Sequence, residues 1–207
     1  MDYNDINAYL IKATPPRDRV MAAMERYARK NRFPIIGPLV GRFLYQMAVA
    51  IKARKILELG SGFGYSASWF SRAIGKRGHI TLTDSDENNR QRAFKYFEQA
   101  GLESRFTFIL DDALKAAARL KGPYDIILND IDKHEYPLTI DVAARLLRPG
   151  GLFITDNIIW HGRVLDPASK DRHTRGVKKF TRMLYADPRF FATIMPVRDG
   201  LAVAVKV

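Results

Sequence analysis

The chain has 207 residues, with 34 Lys and Arg against 22 Asp and Glu, and no cysteine. That length suits one domain with a sizeable core, and the missing cysteine excludes disulfides, thiolate metal ligands and cysteine catalysis. The net charge of +12 favours an anionic partner, whether nucleic acid, a phosphorylated or CoA-linked substrate, or a membrane surface; it fits plain solubility equally well.

The N-terminus, "MDYNDINAYL", is acidic and polar and lacks the basic start and apolar centre of a signal peptide. No run of about 18 apolar residues suggests a membrane span, so a cytoplasmic protein with no membrane partner is expected. "PRDRVMAAMERYARKN" carries Val20, Met21, Met24, Tyr27 and Ala28 at helical spacing. "PIIGPLVGRFLYQMAVAIKA" opens with Pro and Gly and then presents Val40, Leu44, Met47 and Ile51 on one helical face.

From residue 55 short apolar runs alternate with longer amphipathic stretches. The runs are "KILELG" (55–60), "HITLTD" (79–84), "RFTFIL" (105–110), "YDIILND" (124–130) and "GGLFITDN" (150–157). Helix-like segments separate them: "YSASWFSRAI", "ENNRQRAFKYFEQAG", "ALKAAARLKG" and "YPLTIDVAARLLRPGG". Alternation of strand and helix marks a parallel sheet covered on both faces. After the helix-like "TRGVKKFTRMLYADP", two runs, "FFATIMPV" and "LAVAVKV", flank "RDG" and predict an antiparallel hairpin on a tight Asp-Gly turn. The expected fold is α/β: a Rossmann-like, seven-stranded, mostly parallel sheet with a C-terminal antiparallel hairpin, helices on both faces and an N-terminal helical segment. Residues 1–207 read as one domain, with helices over 1–53 and the α/β core over 54–207.

Ligands of open α/β sheets bind beyond the carboxyl ends of the strands. The first strand runs into "ELGSGFGYS", where Gly60, Gly62 and Gly64 let the backbone turn sharply and approach a ligand. The helix that follows aims its first N–H groups at the same place. Asp84 ends the second strand, 24 residues beyond Gly60, where a carboxylate can accept from both hydroxyls of a ribose. Glycines after a strand also serve as plain turn formers, and the spacing is not the G-x-G-x-x-G of dinucleotide sites. No serine sits in a G-x-S-x-G elbow, so acyl transfer has little support.

The fourth run ends at Asp130 and the fifth at Asp156-Asn157. Two carboxylates and an amide oxygen are hard ligands suited to Mg²⁺, Mn²⁺ or Ca²⁺. The competing role for each acid is to cap the next helix. Lys133, three residues past Asp130, is placed to act as a general base if its neighbours lower its affinity for the proton; a solvated lysine is the ordinary alternative. His79, His134, His161 and His173 show no metal-ligand spacing and read as surface or loop residues.

These segments closely resemble the cation-dependent S-adenosylmethionine O-methyltransferases of the catechol and caffeoyl-CoA type. The matching stretches include "KILELGSGFGYSASWFS", "TDSDENNRQRA", "DDALKAAARL", "GPYDIILNDIDKHEYP" and "LLRPGGLFITDNIIWHGRV", and the likeness continues through the C-terminal tail. The resemblance implies that Gly60, Gly62 and Ser66, with Ser61, Gly64 and Tyr65 in the loop between and Glu58 just before it, hold the methionine part of S-adenosylmethionine. Asp84 replaces the usual Glu at the ribose and is one methylene shorter. Asp112 and Ala113 match the element lining the adenine, and Ile36 a position in the N-terminal segment that closes over the cofactor. Asp130, Asp156 and Asn157 match the metal ligands; Asp130 and Asp132 would also stand near the cofactor amine. Lys133 matches the catalytic lysine. Asn129 stands where an apolar residue is usual. The implied acceptor is a catechol-like or other vicinal hydroxyl on a small molecule. A second acceptor class is a hydroxylated uridine in tRNA, which the net charge and the cations Lys170, Arg172, Arg175, Lys178, Lys179 and Arg182 would suit; a solvated helix face accounts for the same cations. A module that holds the cofactor without catalysis is a third class, disfavoured because ligands and lysine are all present. Homodimerisation through the N-terminal helices is implied by the resemblance alone.

Overall fold

The computed structural model describes residues 3–207; Met1 and Asp2, the start of the polar N-terminus, lie outside the described residues. Three helices come first: α1 (Tyr3–Ala13), α2 (Arg19–Asn31) and α3 (Gly37–Ala50). Then follow β1 (Lys55–Leu59), α4 (Tyr65–Ala73), β2 (His79–Asp84), α5 (Glu87–Gln99), β3 (Phe106–Leu110), α6 (Ala113–Arg119), β4 (Tyr124–Asn129), α7 (Tyr136–Leu146) and β5 (Leu147–Thr155). The chain closes with α8 (Arg172–Ala186), β6 (Phe190–Met195) and β7 (Leu201–Lys206).

The seven strands form one sheet in the order β3-β2-β1-β4-β5-β7-β6. The first five run parallel; β7 is antiparallel to both β5 and β6. Period-two alternation divides the strand side chains between two cores. Ile56, Ile80, Leu82, Ile126, Leu128 and Ile154 face one cluster, with Met24 of α2, Leu44 of α3, Phe70 of α4 and Phe97 of α5. Leu57, Leu59, Ile127 and Phe153 face the other, with Ile140 of α7 and Phe180 of α8. Aspartates punctuate the helix starts: Asp18, Asp86, Asp112 and Asp171 cap α2, α5, α6 and α8 by accepting a backbone N–H.

Two boundaries differ from the sequence expectation. Strand β5 starts at Leu147, so the last residues of "YPLTIDVAARLLRPGG" belong to the sheet. Leu147 pairs with Tyr124, and a register shift follows between Tyr124 and Ile126 that absorbs the Pro149-Gly150 segment. The hairpin does not turn on two residues either. Met195 pairs with Leu201, which leaves residues 196–200 as the connection. The reason lies in Asp199, which is buried and bonded to groups across the sheet end instead of capping its own turn.

The strand order reverses between β1 and β4, which are neighbours. An open α/β sheet parts there at its carboxyl edge, which is the usual ligand position.

Candidate active site

A cleft of about 440 Å³ lies over that edge. Its floor begins with the loop after β1. Gly60 has φ +78°, and a Cβ on it would stand 2.7 Å from the Asp130 carbonyl oxygen, so no side chain fits between the β1 and β4 ends. The Gly62 N–H donates to Asp84 Oδ2 at 2.9 Å. Asp84 Oδ1 accepts from the Asp86 N–H at 2.9 Å and the Asn89 amide at 3.1 Å. The shorter acid is thus met by the loop itself, which is drawn to the strand end. Asp112 also lines the cleft, but its side chain accepts from the Lys115 N–H at 2.9 Å, so the capping role is the one its carboxylate fills. Ile36, at the start of α3, is buried, and with Phe33, Pro34 and Ile35 it forms one wall.

Glu58 lies beneath this loop rather than in the cleft wall. It is 1 % exposed, and neither carboxylate oxygen has a hydrogen-bond partner. Burial pushes its carboxyl up to about 8; the nearby Ser66 and Ser61 hydroxyls oppose that rise, and the Asp130 charge adds to it.

The other end of the cleft is built from charges. Neither strand-end acid caps a helix. Asp130 Oδ1 accepts from Lys133 Nζ at 2.8 Å, and Lys133 also donates to the Ile131 carbonyl at 3.3 Å. Asp156 is 1 % exposed; its Oδ2 accepts from Arg198 Nη1 at 3.2 Å, while its Oδ1 has no partner. Burial pushes both acids up, Asp156 further through repulsion from Asp130, with Lys133 and Arg198 pulling the other way. Asn157 has φ +59° and donates its amide to Asp199 Oδ2 at 3.2 Å. A carboxylate only accepts, so that bond orients the amide and leaves the Asn157 oxygen for another ligand. Asp199 Oδ1 takes the His161 N–H at 2.6 Å. Asp132 is exposed at the head of the 3-10 turn Lys133–Glu135 and lines the cleft there.

Lys133 is held from outside by packing. A Cβ on Gly176 of α8 would lie 2.3 Å from the Lys133 carbonyl oxygen, so only glycine lets the helix come this close. Its Nζ lies 5.3 Å from the Tyr136 ring centre and 5.7 Å from that of Trp160. The His134 and His173 rings meet edge to face at 5.3 Å, and His134 Nδ1 is buried without a partner. Both histidines are half-buried, His134 in the 3-10 turn and His173 in the first turn of α8. Asn129, the polar intruder in β4, is fully buried; its amide reaches Thr155 Oγ1 at 3.4 Å and its oxygen has no partner.

The cleft gathers Ile36, Gly60, Ser61, Gly62, Tyr65, Ser66, Asp84, Asp112, Ala113, Asp130, Asp132, Lys133, Asp156 and Asn157. Glu58 and Gly64 stand behind it; Gly64 serves as the N-cap of α4. Sequence reasoning missed Phe33, Ser85, Leu114, Glu135 and Arg198, which also line it. Arg198 was the one with a signal, since it precedes the Asp-Gly pair that a hairpin turn was expected to use. Among the described residues no group of three or more His, Cys, Asp or Glu is arranged to hold a metal ion. The smaller set of two carboxylates and one amide still fits a hard cation, because Asp156 Oδ1 and the Asn157 oxygen are free to ligate it.

Known proteins resemble this chain in sequence and fold. The catechol O-methyltransferase of Niastella koreensis is 34 % identical over 198 residues, spanning 91 % of this chain and 90 % of that one. Mouse catechol O-methyltransferase domain-containing protein 1 is 29 % identical over 171 residues, 80 % of this chain and 65 % of its own. The crystal structure of a Bacillus cereus O-methyltransferase in complex with SAH superposes with a TM-score of 0.89 at 28 % identity, covering 98 % of this chain and 97 % of that one. The profile of the O-methyltransferase family matches residues 15–207. The chain therefore belongs to the O-methyltransferase family.

Proposed function

We propose that the protein transfers the methyl group of S-adenosylmethionine to one hydroxyl of a small molecule bearing vicinal hydroxyls, with a divalent cation at Asp130, Asp156 and Asn157. The observation that carries this reading is the pair of strand-end acids, one with an unpartnered buried oxygen, beside Lys133 at the far end of the cofactor cleft.

The glycine loop and the first turn of α4 receive the methionine part of the cofactor. Asp84 Oδ2, which accepts only from the Gly62 N–H, keeps a lone pair for a ribose hydroxyl, and Ile36 with Phe33 covers the cleft from above. A free phenol has a pKa of about 10, so its proton must be taken or its anion stabilised. Lys133 meets the acceptor oxygen, either accepting its proton or, as the ammonium that now holds Asp130, stabilising the negative oxygen. A cation such as Mg²⁺ would supply Lewis-acid stabilisation and orientation of the same oxygen. Holding oxygen, methyl carbon and sulfur in line supplies much of the remaining acceleration.

The test is transfer of tritiated methyl from S-adenosylmethionine to a panel of catechols and to bulk tRNA, with and without a chelator. Methylation of catechols that stops on chelation and returns with Mg²⁺ is expected. Unchanged activity with the metal chelated refutes the cation's role. Methylation of tRNA alone would transfer the acceptor to RNA, a reading supported only by net charge and the exposed cations of α8.

A further inference from the structure

A second cavity, of about 590 Å³, opens beside the cofactor cleft, and Phe33, Pro34, Ile35 and Arg198 line both. Its wall carries Arg17, Arg29, Arg32 and Arg198 against a single carboxylate, Glu25. Arg17 already neutralises Glu25 through two hydrogen bonds of 2.8 Å, and the Tyr65 hydroxyl donates to the same carboxylate. Among the described residues no carboxylate lies within ion-pair distance of Arg29 or Arg32. The cavity is therefore left with surplus positive charge, and its boundary with the cofactor cleft is a guanidinium.

Arg198 is poised rather than fixed. It bridges to Asp156 through one nitrogen only, at 3.2 Å, and its side chain is 35 % exposed. Four of its five donors remain for another group, and a guanidinium fork matches a carboxylate or phosphate edge. Its backbone is held at φ +54°, a left-handed conformation that an arginine adopts at a cost. The neighbouring anchors keep it there: Asp199 is bonded to Asn157 and His161, and the Gly200 N–H donates to the Val197 carbonyl. An observed backbone outlier beside a catalytic cleft points to a positioned side chain.

We propose that the second cavity is an anion subsite for the acceptor: it binds a carboxylate or phosphate carried by the hydroxyl-bearing molecule, and Arg198 grips that anion with Arg29 and Arg32 behind it. The proposal rests on the acceptor chemistry proposed above and names the class of molecule: a vicinal diol with an acidic substituent within one side chain's reach of the reacting hydroxyl. The ion pair with Asp156 is the position Arg198 holds when no such anion is bound.

The experiment compares 3,4-dihydroxybenzoate and 3,4-dihydroxybenzyl phosphate with the neutral 3,4-dihydroxybenzyl alcohol, as substrates of the full chain with saturating cofactor. The expected result is a KM lower for the anions by about tenfold or more, a ratio that shrinks as salt rises. Arg198→Gln should collapse that ratio to about twofold, Arg32→Gln should reduce it, and Arg198→Lys should retain part of it. Equal KM values in the wild type, or an unchanged ratio in Arg198→Gln, overturn the proposal. Isothermal titration with inorganic pyrophosphate separates this failure from failure of the catechol reading. Binding to the wild type that weakens about tenfold or more in the Arg29→Gln/Arg32→Gln/Arg198→Gln variant supports the subsite even if no catechol is methylated. Absence of pyrophosphate binding, together with absence of any anion preference, overturns it.

Discussion

The two ends of the cleft are made differently. The end proposed for the cofactor is built from backbone: Gly60 and Gly62 shape it, and the Asp84 carboxylate accepts from Gly62, Asp86 and Asn89. The end proposed for the acceptor is built from side-chain charge: Asp130 with Lys133, Asp156 with Arg198, and an oxygen on Asp156 that nothing satisfies. The first end is largely pre-formed, with one acceptor site left on Asp84 Oδ2. The second keeps Asp156 out of water, beside a partly exposed Asp130, with partial compensation, which is the state in which a cation or a reacting oxygen gains most from being bound. Pre-formed geometry thus serves recognition, and incomplete charge pairing serves reaction.

Substitutions can break that division, and the largest effect belongs to the charged end. Lys133→Ala should lower kcat by about 10²–10⁴-fold while S-adenosylmethionine affinity, read by calorimetry, changes little. Lost affinity with normal turnover at saturation would move Lys133 to the cofactor end. Gly60→Ala tests the opposite case. Its Cβ collides with the Asp130 carbonyl and its φ is left-handed, a strain of about 1–2 kcal/mol before any clash. Cofactor affinity should fall by at least tenfold, and Asp130 should shift with it, so both ends should suffer together.

Glu58→Gln gives a smaller, pH-dependent effect. The folded protein holds the Glu58 proton up to about 8, whereas an unfolded chain releases it near 4.5. Between those values the folded state binds the extra proton, so wild-type stability from this group is full below about 4.5 and is lost as pH rises toward 8. The glutamine variant has no such loss. Its melting temperature should approach or exceed the wild type's as pH is raised from 5 to 8, and a constant difference across that range would contradict the buried proton. The smallest effect is expected from Asp112→Ala, which removes the α6 cap and should cost about 1 kcal/mol in chemical denaturation. A large loss of cofactor affinity instead would show that Asp112 also serves the ligand.

The sequence made the centre of the fold legible because strands buried on both faces read as continuous apolar runs. It also exposed Asp130, Lys133 and Asp156, since charge at the end of such a run demands a reason. Glu58 broke its run too, yet only a resemblance gave it meaning, because its environment is a loop folded back over it. Arg198 and Asp199 were hidden for another reason. They lie 42 residues from Asp156 and Asn157 respectively, inside a segment whose composition says turn. Only the placement of β7 between β5 and β6 carries them to the carboxyl edge. The pairing of His134 with His173 was equally illegible, since it depends on how closely α8 approaches over Gly176.

The position of β7 also makes one strand pairing a condition for the charged end of the cleft. Strand β6 joins the sheet only through β7, and β7 joins it through β5. Without that docking Asn157 and His161 would lack Asp199, and Asp156 would lack Arg198. Loss of the β5–β7 pairing would therefore unmake the charged end of the cleft while leaving the β1–β2 end standing.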